Sequence, residues 1–239
     1  MMTDPKSSVE EIRQRFDAEV AVYSNLQTGQ VATVDALLCL NLVAEAAALT
    51  TPHAKELLDV GCGGGNYTLK LLQRLPSLNV TLVDLSQQML ACAVGRVQPQ
   101  TSGTVAAIQS DIRELELGQQ RFDIVVASAV LHHLRTDNEW RSVFRKFFDA
   151  LKPGGSLWIF DLIESSLPVI QAIHWCRYGE YLASVGGESY RDDLFARIIR
   201  EDTPRSIEFQ LDLLREVGFR EVEILHKHAC YAAFGAVKC

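Results

Sequence analysis

Three aspartates, Asp59, Asp84 and Asp111, each stand at or just beyond the end of a short apolar run. The first is followed by Gly61, Cys62, Gly63, Gly64 and Gly65. Glycines let a backbone turn tightly and approach a ligand with no Cβ in the way, and a helix starting after such a turn offers free N–H groups. Dinucleotide sites want a small residue where Asn66 stands. A carboxylate two residues ahead of the first glycine is unhelpful beside a pyrophosphate but useful beside a cation. An acid at position 84 can accept hydrogen bonds from both hydroxyls of a ribose. At position 111 it can take a bond from an adenine amino group, while a neighbouring backbone N–H meets a ring nitrogen. Each aspartate also has a plain structural use, as a turn cap at Asp59, a helix cap at Asp111 or a loop acid at Asp84. Their joint occurrence at three consecutive run ends, behind a glycine turn, points to one ligand.

A fourth apolar run ends at Ser128 and leads to His132 and His133. Histidine titrates near neutral pH, so either imidazole is a candidate general base if a substrate must lose a proton. Packing and loop shape are the competing uses. His226, His228 and Cys230 alternate, which on an extended strand puts three metal-ligand types on one face. His174 and Cys176 form a similar pair. Alternation in a hairpin produces such a face without function, and no metal is expected.

These residues need elements to hold them. Residues 9–22 and 33–49 read as helices with a break at Gly29, and Thr51-Pro52 stops the second. From Lys55 strands alternate with helices. Strands are expected over 56–60, 79–85, 105–108, 122–129 and 156–160, and helices over 66–75, 87–97 and 139–151. Ser86 is placed to cap the helix at 87–97. Lys152-Pro153-Gly154-Gly155 reads as a helix terminator. Short apolar strands alternating with helices imply a mostly parallel sheet covered on both faces, whose ligands bind at the carboxyl ends of the strands.

Residues 164–203 interrupt the alternation with helices near 168–182 and 190–200, separated by Gly186-Gly187. A helix over 204–217 ends at Gly218, and 221–228 with 231–237 form an antiparallel hairpin. The expected plan for 1–239 is one domain. It has an N-terminal helical lid (1–52), a ligand-binding core (55–163), a helical substrate cap (164–203) and a closing helix and hairpin (204–239). The cap holds Trp175, Arg177, Tyr178, Tyr181, Tyr190, Arg191 and Arg197. That composition suits a flat or anionic substrate. Packing on the sheet, or on a second copy in a homodimer, fits it equally.

Composition narrows the function classes. The chain has 239 residues, 48% hydrophobic and 22% charged, with a formal net charge of −7. The balance is that of a globular protein, and the acidity argues against a nucleic-acid binder. The apolar stretch 36–49 is broken by Asn41 and Glu45, so no membrane span is expected. The first residues lack the apolar core of a signal peptide. Six cysteines without regular spacing fit a reducing compartment. A cytoplasmic location is the expectation.

In order, the segments LLDVGCGGGNYT, VTLVDLSQQML, SDIREL, FDIVVASAVLHHL and LKPGGSLWIFDLI resemble class I S-adenosylmethionine-dependent methyltransferases over residues 55–163. The D-x-G-x-G-x-G pattern is matched in full from Asp59 to Gly65. The resemblance implies a Rossmann-like α/β fold with a seven-stranded, mostly parallel sheet whose last strand is antiparallel. It implies S-adenosylmethionine as cofactor and a small-molecule methyl acceptor.

The resemblance also implies roles. Gly61, Cys62 and Gly63 would pass beneath the methionine part and ribose, and Asp59 would lie near the cofactor's amino group. Asp84 would hold the ribose hydroxyls, with Leu85 and Met89 on the adenine and Asp111 and Ile112 reading its edge. Ser128 would begin the wall on the sulfonium side. Arg15, Phe16 and Tyr23 would be lid contacts. Many such enzymes have no obligatory catalytic residue. The C-terminal third also looks like carboxy-S-adenosylmethionine synthases, where Arg191 or Arg197 would hold a new carboxylate, although GCGGG is richer in glycine than that family's turn. A cofactor-binding protein without turnover is the remaining alternative.

Overall fold

The computed structural model describes residues 6–25 and 30–239. Its centre is a seven-stranded sheet in the order β3-β2-β1-β4-β5-β7-β6. The strands are β1 (Glu56–Val60), β2 (Asn79–Asp84), β3 (Val105–Gln109), β4 (Phe122–Ser128), β5 (Leu151–Leu162), β6 (Glu221–His228) and β7 (Tyr231–Val237). The pairs β1–β2, β1–β4, β2–β3 and β4–β5 are parallel, while β7 is antiparallel to both β5 and β6. Strand order reverses between β1 and β4, and a cleft opens at such a switch point beyond the carboxyl ends of the strands. The helices are α1 (Val9–Ala18), α2 (Val20–Ser24), α3 (Ala36–Thr50), α4 (Asn66–Leu72), α5 (Gln87–Val97), α6 (Asp137–Ala150), α7 (Pro168–Glu201) and α8 (Ile207–Val217). Among the described residues, no helix is long and apolar enough to cross a membrane.

The central strands are apolar on both faces because both are covered. Leu57, Leu82, Ile124, Val126 and Trp158 join one core with α3 and α5. Their neighbours Leu58, Val83, Val125, Ala127 and Leu157 join the other with Trp140, Phe144 and Phe147 of α6 and Leu213 and Leu214 of α8. Burying each large side chain contributes about 1.5–3 kcal/mol.

Several boundaries differ from the sequence expectation for identifiable reasons. The helix expected over 9–22 is two helices, broken at Glu19 (φ −107°, ψ 19°), whose N–H bonds back to the Arg15 and Phe16 carbonyls. Gly29, the expected break, lies outside the described residues. Residues 152–155 do not terminate a helix. α6 ends at Ala150, Leu151 already pairs with Phe122, and 152–155 bulge out before the register resumes at Ser156 opposite Ile124. The last helix starts at Ile207 rather than Pro204, because the Ser206 hydroxyl caps it by accepting from the Phe209 N–H. The break expected at Gly186-Gly187 is a kink within α7, where Gly187 takes φ 87° and ψ 177°. Ser86 caps α5 as expected.

Candidate active site

The turn after β1 is pinned to β2. The Gly61 and Cys62 N–H groups donate to the Val83 carbonyl at 2.8 and 3.0 Å. Gly61 (φ 66°) cannot carry a side chain, since a Cβ there would sit 2.6 Å from Val130. Gly63 (φ 50°) has open space on its Cβ side, so the backbone itself forms a cleft wall there. The Gly63 N–H donates to Asp84 Oδ2 and the Ser86 N–H to Oδ1, both at 2.8 Å. Burial pushes the Asp84 carboxyl up against these donors, leaving a net upward shift. Asp59 accepts the Thr68 hydroxyl at 2.6 Å, and complete burial pushes its pKa up to about 6. It is a carboxylate short of a positive partner.

A cleft of about 230 Å³ begins here. Tyr23, Asp59, Gly61, Cys62, Gly63, Asp84, Leu85, Met89 and Ser128 line it, as do His132 and His133. Asp111 and Ile112 line a smaller adjoining lobe that shares Gly61, Asp84, Leu85 and Val130 with the first. The residues expected to bind the cofactor, and the two histidines, therefore converge on two adjoining lobes. Asp111 is not bare. Arg113 holds its carboxylate through Nε and Nη2 at 2.5–3.0 Å, and the Arg113 N–H adds a turn bond at 2.9 Å. Burial opposes the charge on Asp111, but Arg113 outweighs it and holds the carboxyl below its ordinary range.

The two histidines differ. His132 is bracketed by acids, with Nδ1 on Asp161 and Nε2 3.7 Å from Asp202 Oδ1. Burial would push it down, but the two carboxylates outweigh this and raise it to about 9. His133 lies with Nδ1 3.1 Å from Asp202 Oδ1, without hydrogen-bond alignment, and among the described residues neither ring nitrogen has a hydrogen-bond partner. Burial, then the charge on His132, push it below its ordinary value. At neutral pH His132 is a fixed cation and His133 a neutral imidazole with a free lone pair.

The outer half of the cleft comes from appended helices. Arg15, Phe16 and Tyr23 line it, as do Tyr178, Leu194 and Arg197 from α7. Arg15 is already spent, held by Glu201 at 2.5–3.0 Å and Glu19 at 3.0 Å. Arg197 lies 3.5 Å from both Glu19 and the Tyr23 hydroxyl. Of the aromatics and arginines singled out in 164–203, only Tyr178 and Arg197 reach the cleft. Arg177 and Arg191 pair with Glu180 and Asp192, while Trp175, Tyr181 and Tyr190 pack on the core. Composition alone overstated the positive character of this segment.

The sequence reading missed Asp161, Asp202, Glu201, Asn66 and Tyr67. Asp161 carried a signal, as an acid in the otherwise apolar end of β5. It accepts the Leu131 and Leu162 N–H groups at 2.7 Å and so shapes the turn that presents the histidines. Glu201 and Asp202 come from a site distant in sequence and had none, whereas Asn66 and Tyr67 directly follow the glycine turn, and that position was their signal.

Residues 57–155 match the family model of a methyltransferase domain. The chain is 25% identical over 172 residues to the demethylmenaquinone methyltransferase of Lactococcus lactis, covering 70% of this chain and 67% of that protein. Among solved structures it resembles human N-acetylserotonin methyltransferase in complex with S-adenosylmethionine, with a TM-score of 0.60 and 18% identity. That match covers 97% of this chain but 56% of the other. The [4+2]-cyclase SpnF is similar over 98% of both chains, with a TM-score of 0.64 and 18% identity, a likeness of fold alone. The matched residues form a methyltransferase domain, and the fold and the strand-end residues resemble those of class I S-adenosylmethionine-dependent methyltransferases. S-adenosylmethionine is the domain's cofactor, and the cleft suits it. Among the described residues, the buried Tyr67 hydroxyl lacks a hydrogen-bond partner and no cation pairs with Asp59, while Gly63 leaves its side of the cleft open.

Proposed function

We propose that the enzyme methylates a small, largely apolar acceptor whose nucleophilic atom carries an exchangeable proton, and that His133 takes that proton. The observation carrying this reading is the contrast within the outer cleft. Its walls are Phe160, Leu162, Tyr178, Leu194, Ile198 and Tyr231, its arginines face carboxylates, and an unpartnered imidazole, that of His133, lies in its lining.

Asp59 holds the cofactor's ammonium group and Asp84 its ribose hydroxyls, with Leu85, Met89, Asp111 and Ile112 around the base. Bound there, S-adenosylmethionine would supply an electrophilic methyl group on a sulfonium, with a neutral thioether as the leaving group. The apolar wall orients the acceptor and excludes water, and orientation of two reactants lowers such a barrier by up to ~7–11 kcal/mol. The acceptor's proton passes to His133 Nε2, and its electron pair forms the new bond to carbon. Asp202, beside Nδ1, steadies the imidazolium that results. The Lactococcus relative is named for a menaquinone-type acceptor, which agrees with the apolar character of the outer cleft.

The experiment is a screen of uncharged phenols and hydroquinones against their carboxylated analogues, read by mass. Methylation of the neutral series, lost in His133→Gln with cofactor affinity kept, is expected. Preference for the carboxylated series overturns the acceptor class. A carboxylated cofactor released on denaturation favours the synthase alternative, with Arg197 the arginine in reach.

A further inference from the structure

Outside the cleft, the alternating face at the end of β6 has a different composition from the one its spacing suggests. Cys230 is not on it. The hairpin turns at Ala229 (φ 48°), and Cys230 is carried into the core, where burial pushes its thiol up to about 12. Asp35 takes its place. His226 Nε2 lies 2.9 Å and His228 Nδ1 2.7 Å from the same Asp35 Oδ2. The three ligand atoms all lie within 4.8 Å of one another, and all three side chains are partly open to water.

Two features set this cluster apart from a chance surface contact. The register of β6 shifts between Ile224 and His226, so that Ile224 opposes Phe234 whereas His226 and His228 oppose Ala233 and Tyr231. The bulge thereby turns both imidazoles to the α3 side. Asp35 stands at the N-cap of α3 yet makes no capping bond, although aspartate there normally accepts a helix N–H. It takes φ 57° instead, a left-handed conformation uncommon outside glycine, and turns its carboxylate to the imidazoles.

We propose that Asp35, His226 and His228 form a binding site for a divalent first-row transition-metal ion of the zinc type. Two imidazole nitrogens and one carboxylate oxygen are a borderline ligand set that such ions prefer over magnesium or calcium, and the open side leaves room for water as the fourth ligand. The ion ties two parts of the chain together. Asp35 follows Ala32 and Thr33, which line the cleft, and the Ala32 carbonyl accepts the Tyr178 hydroxyl at 2.9 Å. Occupancy would fasten that wall to the edge of the sheet. The site does not depend on the methyl-transfer reading.

The test uses the full chain after chelator treatment, with zinc added in native mass spectrometry and titration calorimetry, and cobalt in absorption spectroscopy. One zinc ion per chain is expected, with binding weakened roughly tenfold or more in Asp35→Asn and in His228→Ala. Zinc should raise the thermal midpoint of the native chain but not of His228→Ala, whose exposed side chain can be removed without touching the core. The double variant Cys176→Ser, Cys239→Ser should bind as the native chain does, and cobalt should give no thiolate charge-transfer band. Absence of zinc binding, full binding in His228→Ala, or a thiolate band overturns the proposal.

Discussion

The two halves of the cleft are built by different means. The cofactor half comes from one stretch, 59 to 130, and its central carboxylate, Asp84, is positioned by the backbone N–H groups of Gly63 and Ser86. The outer half is assembled from Arg15, Tyr23, Phe160, Tyr178, Ile198 and Tyr231, and side chains hold one another there, as in Arg15 with Glu201. A half fixed by the main chain tolerates only a narrow set of residues. One fixed by side-chain pairs can change its ligand without disturbing the sheet.

The largest effect that sharpens this contrast is expected at His133. Replacing it with Gln should lower kcat by about 10²–10⁴-fold, the usual worth of a general base, with cofactor affinity within threefold by calorimetry (a ~0.6 kcal/mol margin,). A parallel loss of cofactor binding would mean that the halves are not separable.

Asp84→Ala comes next. It removes the acceptor of two backbone bonds as well as the proposed ribose contact, and should weaken cofactor binding by about 30–1000-fold, from ~2–4 kcal/mol. An unchanged dissociation constant would sink the ribose assignment.

The pH dependence is smaller. Asp59 is ionised only above about 6, and its protonated form cannot attract the cofactor's ammonium group. Affinity should therefore be flat above that value and fall up to about tenfold per pH unit below it. Asp59→Asn should flatten the profile at a weaker affinity; a native profile flat to pH 5 (about one unit below that pKa,) would contradict the assignment.

The smallest effect lies outside both halves. The Thr136 hydroxyl accepts the Glu139 N–H at 3.2 Å in a capping box at the start of α6. Thr136→Ala should cost about 1 kcal/mol of stability in denaturant unfolding and leave both binding steps unchanged.

The same division decides what could be read from the sequence. β1 and α5 were legible to the residue, because a short apolar strand and a Ser86 cap are local signals. The glycine turn with Asp59, Asp84 and Asp111 was legible for the same reason. The break at Glu19 was not, since it is set by where the chain turns towards Asn66 rather than by a helix-breaking residue. Arg197 was visible as a charge, but Glu19 opposite it was not visible as its partner. Asp35 was hidden from the histidine pair by a sequence separation of 191 positions.

The Asn66 side chain donates to the Tyr23 carbonyl at 3.1 Å and accepts from Arg96 at 3.0 Å. The first two helices are thereby latched over the glycine turn, beside the residues proposed to hold the cofactor. If release of the spent cofactor waits for this latch to open, turnover acquires a clock that is separate from bond making. Rapid-quench kinetics should show a burst of one methylated product per chain before a slower steady rate, and Asn66→Ala should shrink the burst by speeding release. A linear time course from the first turnover would show that the latch does not set the pace.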